Sequence, residues 1–247
     1  MKEQQQRKRF AELTELSRRQ NIYYYTDFLT PAEAADAGAM TSPKEFASFG
    51  GTEDCERVMV RFGDPAVIGY EEMFPIQVLQ IVPASRKFAE KLTHRDFLGA
   101  LMNLGLERDI FGDIIVREEA AYVFCAERMA SYICEELRQV RHTAVRCEIP
   151  AAFPEDARPV LQEEQIMAAS ERLDMLIAKV WHLSRTKAKD LFAAGAVQVG
   201  GRVCEKESAV PAAGDRISVR GFGKFRYLGQ TGVTRKGSLI LKIEKYV

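Results

Sequence analysis

Between residues 74 and 150 the order of apolar runs and turn signals leaves few folds open. Ile76 to Val82 is an apolar run of strand length. Thr93, with Asp96 three residues later, marks a helix start. Phe97, Leu98, Leu101 and Leu104 then recur at helical spacing, and Gly105 suits the C-terminal cap. Asp113 to Arg117 and Ala121 to Cys125 predict a hairpin around Glu118-Glu119. Glu127 to Val140 predicts a second amphipathic helix, and Thr143 to Ile149 a last strand. The order β-α-β-β-α-β predicts a split βαβ sandwich, in which one sheet carries two helices.

The flanks make the whole chain α+β. Residues 1–73 predict a mixed α/β domain, mostly helical. Lys2 to Arg19 places Phe10, Leu13 and Leu16 at helical spacing. Thr30-Pro31-Ala32-Glu33 and Ser42-Pro43-Lys44-Glu45 both have the capping-box pattern with Pro at the first helical position, so each predicts a helix. Phe49-Gly50-Gly51 would stop the second, and Arg57 to Phe62 alternates as a strand does. The 74–150 domain is ferredoxin-like, a topology shared with RNA-recognition motifs (RRM-like), although the aromatic RNP1 signature of those motifs is missing. Tyr122 and Phe124 fall on one face of the third strand, where they could stack on bases or belong to the core. Pro150, Pro154 and Pro159 among Glu and Gln predict a linker over 151–165. Residues 166–247 form a third domain.

Bulk charge conceals an asymmetry. The formal net charge of the 247 residues is zero. From residue 165 onward, however, Lys+Arg number 15 against 7 Asp+Glu, a net of +8, which leaves −8 on the remainder. A basic end is the electrostatic footprint of a nucleic-acid binder, and equally of a solvated basic surface. The five cysteines are scattered without a Cys-x-x-Cys pair and only three histidines are present, so no metal site, cofactor or disulfide framework is expected. The charged opening Met1 to Phe10 predicts no signal peptide, and no apolar run predicts a membrane span. The expected location is cytoplasmic.

Within the basic end, Arg172-Leu173-Asp174 opens an amphipathic helix whose buried face is Leu173, Leu176, Ile177, Val180 and Trp181. Ser184 caps a second helix, with Ala188, Leu191 and Phe192 buried and Gly195 at its end. Arg185 and Lys189 are four apart and share a face; Lys187 lies on the other flank. Val197 and Val199, then Val203, predict a short hairpin with Gly200-Gly201 as its turn and Arg202 just after it. Gly214-Asp215 predicts the turn before strand Arg216 to Val219. Cations on such a frame suit shape recognition of structured RNA through phosphates.

Residues 170–221 resemble the S-four RNA-binding domain. On matching positions, that resemblance implies RNA contacts by Arg172, Ser184, Arg185, Lys187, Lys189 and Arg202. Gly200 stands where many members have Asn or Asp. Phe49-Gly50-Gly51, Glu56-Arg57, the run Thr93 to Leu106 and Gly112-Asp113-Ile114 resemble the YlmH family, and this resemblance covers nearly the whole chain. It implies three domains and a non-enzymatic protein. The implied partners are ribosomal RNA and tRNA on the large ribosomal subunit, with peptidyl-tRNA, in ribosome-associated quality control, and there is a link to cell division. Arg95, Asn103 and Arg108 are candidates for a second contact. His94-Arg95-Asp96 has no nucleophile beside it, and Asp96 already serves as a cap, so no catalytic residue is assigned. The alternatives are a pseudouridine synthase, for which Arg172-Leu173-Asp174 lacks the Thr-Ser-Gly continuation, and a cell-division scaffold with incidental RNA binding.

Overall fold

A computed structural model describes residues 2–85 and 90–246 of the protein. They divide into two compact units, 1–159 and 160–247, so the segments 1–73 and 74–150 lie within one unit.

The first unit contains α1 (Lys2–Gln20), β1 (Tyr24–Tyr25), α2 (Pro31–Met40), β2 (Phe46–Phe49), β3 (Met59–Phe62), α3 (Pro65–Ile68), β4 (Ile76–Pro83), α4 (His94–Met102), β5 (Phe111–Val116), β6 (Ala121–Ala126), α5 (Ala130–Glu136), β7 (Gln139–Val140) and β8 (Thr143–Glu148). Strands β4 to β8 form one antiparallel sheet in the order β5-β6-β4-β8-β7. The sequence of its main elements is β4-α4-β5-β6-α5-β8, the expected β-α-β-β-α-β. Strands β1, β3 and β2 form a smaller sheet.

Local signals act at α2 and α4. Thr30 Oγ1 accepts from the Glu33 amide, while Glu33 Oε2 accepts from the Thr30 amide at 2.7 Å. Asp96 Oδ2 accepts from both the amide and the hydroxyl of Thr93, at 2.8 and 2.7 Å. These bonds satisfy donors that the first helical turn leaves free.

Three expectations fail. Ser42 to Glu45 form a turn, not a helix, closed by the Glu45 amide on the Ser42 carbonyl at 2.9 Å. The Glu45 carboxylate that would complete the box accepts two bonds from Arg18 instead, at 2.7 and 2.8 Å. Phe46–Phe49 then pairs with β3. The second central helix stops at Glu136, because Gln139 and Val140 pair with Ala144 and Thr143 across a turn that holds Arg141 at φ 51°. Finally, residues 151–165 are no free linker. Ala157 is buried in the first unit, and Arg117 donates to the carbonyls of Asp156 and Arg158. From Leu161 the chain is already a strand of the second unit.

The N-terminal segment is fastened to the large sheet by the motifs singled out above. Phe28, Cys55 and Met59 share one core with Leu79, Phe97, Leu101, Phe111, Phe124 and Ile133. The Asp113 carboxylate accepts from the amides of Glu56 and Arg57 at 2.7 and 3.0 Å. Arg57 donates to the carbonyls of Phe111 and Phe28. Gly112 faces the Phe28 ring, where a Cβ would lie 2.6 Å from the ring edge. Gly51, at φ 101°, lies against Phe124 in the same way. A smaller core under α1 and α2 gathers Phe10, Leu13, Leu29, Ala37, Val60 and Phe62.

The second unit contains β9 (Leu161–Ala168), α6 (Leu173–Val180), α7 (Arg185–Ala193), β10 (Val197–Val199), β11 (Arg202–Val203), β12 (Arg216–Val219), β13 (Gly223–Val233) and β14 (Leu239–Tyr246). Among the described residues its sheet has six antiparallel strands in the order β11-β10-β12-β13-β14-β9. Its core joins Leu173, Leu176, Ile177 and Val180 of α6 and Ala188 and Phe192 of α7 to Val197, Ile217, Phe225, Tyr227, Leu241 and Ile243 of the sheet. Gly200 and Gly201 have φ of 56° and 79° and join β10 to β11 in a two-residue turn with Val199 opposite Arg202. Two positive φ values in succession suit the twist of a hairpin and favour glycine.

Candidate nucleic-acid interface

The start of α6 carries a cluster of charged side chains. Arg172 stands at its N-cap in extended conformation. The amides of Leu173 and Asp174 donate to the carbonyls of Ala209 and Glu207, so the 205–209 loop closes the helix end. Asp174 is fully enclosed, at 0% exposure. Arg172 Nε and Nη2 donate to its two oxygens at 2.9 and 3.0 Å. Arg185, at the start of α7, places Nε 3.6 Å from Asp174 Oδ2. Arg172 also reaches Glu207 at 3.8 Å, and Lys189 donates to Glu207. The result is a chain of alternating charge, Arg185–Asp174–Arg172–Glu207–Lys189. Burial pushes the Asp174 carboxyl up, but the hydrogen bonds and charge of Arg172, then the charge of Arg185, outweigh it and hold the group below the usual carboxylate range.

This arrangement separates the six expected contacts. Arg172, Arg185 and Lys189 are brought together by two carboxylates. Arg185 keeps 60% and Lys189 41% of its side chain exposed, against 32% for Arg172. Guanidinium has five donors, so Arg185 retains outward N–H groups while one side faces Asp174. Ser184 is occupied as a cap, its Oγ accepting from the Lys187 amide at 3.2 Å. Lys187 is exposed on the other flank of α7, and Arg202 is exposed on the edge strand β11. Nothing local marked Glu207, because its partners reach it only through the fold.

The first unit treats its candidates differently. Tyr122 and Phe124 are 4% and 1% exposed. Phe153 stacks on Phe124 with ring centroids 6.3 Å apart, and Gly51 covers another part of that ring. They are core residues, and no base can stack on them. Arg108 is half-buried and donates to the Phe111 and Gly112 carbonyls, so it braces β5 rather than facing a ligand. Burial, aided by the charge of Arg57, lowers its pKa to about 10. Arg95 and Asn103 are exposed and line one groove of about 540 Å³ with Arg138 and Arg141. Asp96 in that groove is shared between Thr93 and, at 3.7 Å, Arg141.

Residues 70–152 match a family model described as "Putative RNA-binding domain in YlmH". A protein of Bacillus subtilis (strain 168), the "Ribosome-associated protein quality control protein P2", is 30% identical over 233 residues, covering 89% of this chain and 86% of that protein. The chain belongs to the YlmH family. The "Cell division protein ylmH from Streptococcus pneumoniae" has a similar fold, with a TM-score of 0.50 at 23% identity, covering 61% of this chain and 92% of that one. An RNA-binding role for this YlmH-family chain is supported by the matched family model. No helix among the described residues is long and apolar enough to cross a membrane.

Proposed function

We propose that this protein is a non-enzymatic RNA-binding factor that docks on structured ribosomal or transfer RNA. The proposed place is the large ribosomal subunit carrying peptidyl-tRNA, in ribosome-associated quality control in the cytoplasm. The observation that carries this reading is the charge chain at α6 and α7. Two cations on one helix face, Arg185 and Lys189, are held in position by carboxylates beneath them while much of each side chain stays exposed. Cations already ordered lose less entropy when they meet phosphates. The name of the B. subtilis relative supports the quality-control setting.

The non-catalytic part of the proposal rests on Asp174. A pseudouridine synthase would need that carboxylate free for chemistry. Here both oxygens bond to Arg172 and the group has no exposed surface. Nucleoside mass spectrometry of RNA from a deletion strain is expected to show every modification retained; a lost one would overturn this part.

The docking itself is tested by sedimentation. The full-length protein is expected to travel with purified large ribosomal subunits in low salt and to be released steeply as salt rises. Arg185→Ala with Lys189→Ala should abolish co-sedimentation. Both side chains are substantially exposed, so the cost to folding should be about 1 kcal/mol. Unchanged co-sedimentation of a folded double variant sinks the proposed face.

A further inference from the structure

The positive charge of the second unit is not concentrated at the helix face. There, three cations meet Asp174 and Glu207 and are largely offset. From Arg216 to Ile243, by contrast, seven Lys+Arg occur with no Asp or Glu. This is the β12–β13–β14 part of the sheet. Some of these cations are matched by groups outside the stretch: Arg226 pairs with Glu244 at 3.3 Å, and Lys242 with Glu163 at 2.7 Å. Lys224 lies over the Tyr246 ring at 4.7 Å. Arg235 and Lys236 are different, since both are exposed at the tip of the β13–β14 hairpin.

The tip is built to hold them out. The last β12–β13 rung is Arg216 opposite Arg226, followed by bonds between Tyr227 and the Gly214–Asp215 turn. From Leu228 to Val233, β13 has no strand on that edge among the described residues. Six residues of strand reach about 20 Å. On the other side β14 is backed by β9 as far as Leu239 opposite Ala168, which stiffens the arm. The turn is closed by the Thr234 amide on the Ser238 carbonyl at 2.8 Å, the Gly237 amide on the Thr234 carbonyl, and the Ser238 amide on Thr234 Oγ1. Gly237 has φ 82°, a value that favours glycine. Ala168 lies four residues before Arg172, at most about 14 Å of chain. The hairpin tip and the start of α6 therefore leave the sheet at the same end.

We propose that the β13–β14 hairpin tip is a second RNA contact, in which Arg235 and Lys236 bind backbone phosphates beside the α6–α7 face. This rests on the RNA-docking reading above. Phosphate is the expected ligand because the tip offers two cations without an aromatic side chain from Gly229 to Ser238, so it can neutralise a backbone but not stack on a base.

The test uses the full-length protein and two probes, fluorescein-labelled bulk transfer RNA and purified large ribosomal subunits, across a salt series. Arg235→Ala with Lys236→Ala should weaken binding about 10-fold near physiological salt and reduce the slope of log K against log salt by about 2. Arg235→Lys with Lys236→Arg should restore both. Loss with one probe alone supports the contact and identifies which RNA supplies the phosphates. Wild-type affinity and slope in the Ala variant with both probes would overturn the hairpin contact alone. Equal loss in the charge-keeping variant would overturn it in favour of a structural role for the turn. Failure of the unaltered protein to bind either probe would overturn this contact and the docking reading together.

Discussion

Gly51→Ala is expected to destabilise the 1–159 unit by about 3 kcal/mol. Two effects combine. The position has φ 101°, where an L side chain is strained, and the added Cβ would lie 2.3 Å from Phe124 Cδ1 and 3.1 Å from Ile76 Cγ2. Neither neighbour can yield easily: Phe124 is 1% exposed and packed on Phe153, and Ile76 is paired in β4. Urea unfolding followed by far-ultraviolet circular dichroism would show the shift. Trp181, the one tryptophan, lies in the other unit and is the wrong reporter. A midpoint within error of the wild type would mean that Gly51 and Phe153 do not close tightly over Phe124.

Asp174→Ala should be the most damaging single change at the candidate interface, at about 2–3 kcal/mol. Breaking a buried ion pair costs about 3–5 kcal/mol because a charge is left without its partner. The value here is smaller because Arg172 and Arg185 are 32% and 60% exposed and can turn to water. Trp181 fluorescence reports on the right unit, with its ring 5.5 Å from Phe225 in the core. The same pair sets a pH dependence. Asp174 titrates lower in the folded protein than when unfolded. Its contribution is therefore complete above about pH 4, the ordinary carboxylate value, and is lost as pH falls through the lower folded one. The wild type should lose stability in that acidic window and the Ala variant should lose less. Parallel acid curves for the two proteins would show that Asp174 is not held by its arginines.

The two substitutions also separate fold from site. Gly51, Gly112, Asp113 and Arg57 belong to motifs that resemble the YlmH family, yet they fasten the N-terminal segment to the central sheet. Their side chains and the close approaches at the glycines explain those motifs without any RNA. Arg172 combines both roles, since it neutralises a buried carboxylate and stands at the mouth of the proposed interface.

What the amino-acid order determined alone lies within a few residues of chain. Thr30 with Glu33 and Thr93 with Asp96 cap helices through bonds three residues long. Gly200-Gly201 makes a turn because glycine takes positive φ values at little cost. Arg185 and Lys189 share a face because a helix repeats every 3.6 residues. The tertiary structure decided whatever depended on a distant partner. Ser42 to Glu45 has the same local pattern as Thr30 to Glu33, but Arg18 takes the carboxylate and β3 takes the following strand. Residues 161–165 look like the end of a polar linker until β14, from the far end of the chain, pairs with them. Tyr122 and Phe124 alternate correctly for a stacking surface, yet Gly51 and Phe153 close over Phe124 and both rings are buried. Asp174, in the triplet that opens α6, becomes an enclosed anchor only when Arg172, Arg185 and the 205–209 loop converge on it. Backbone geometry is set by neighbours in sequence, whereas burial and ion pairing are set by neighbours in space.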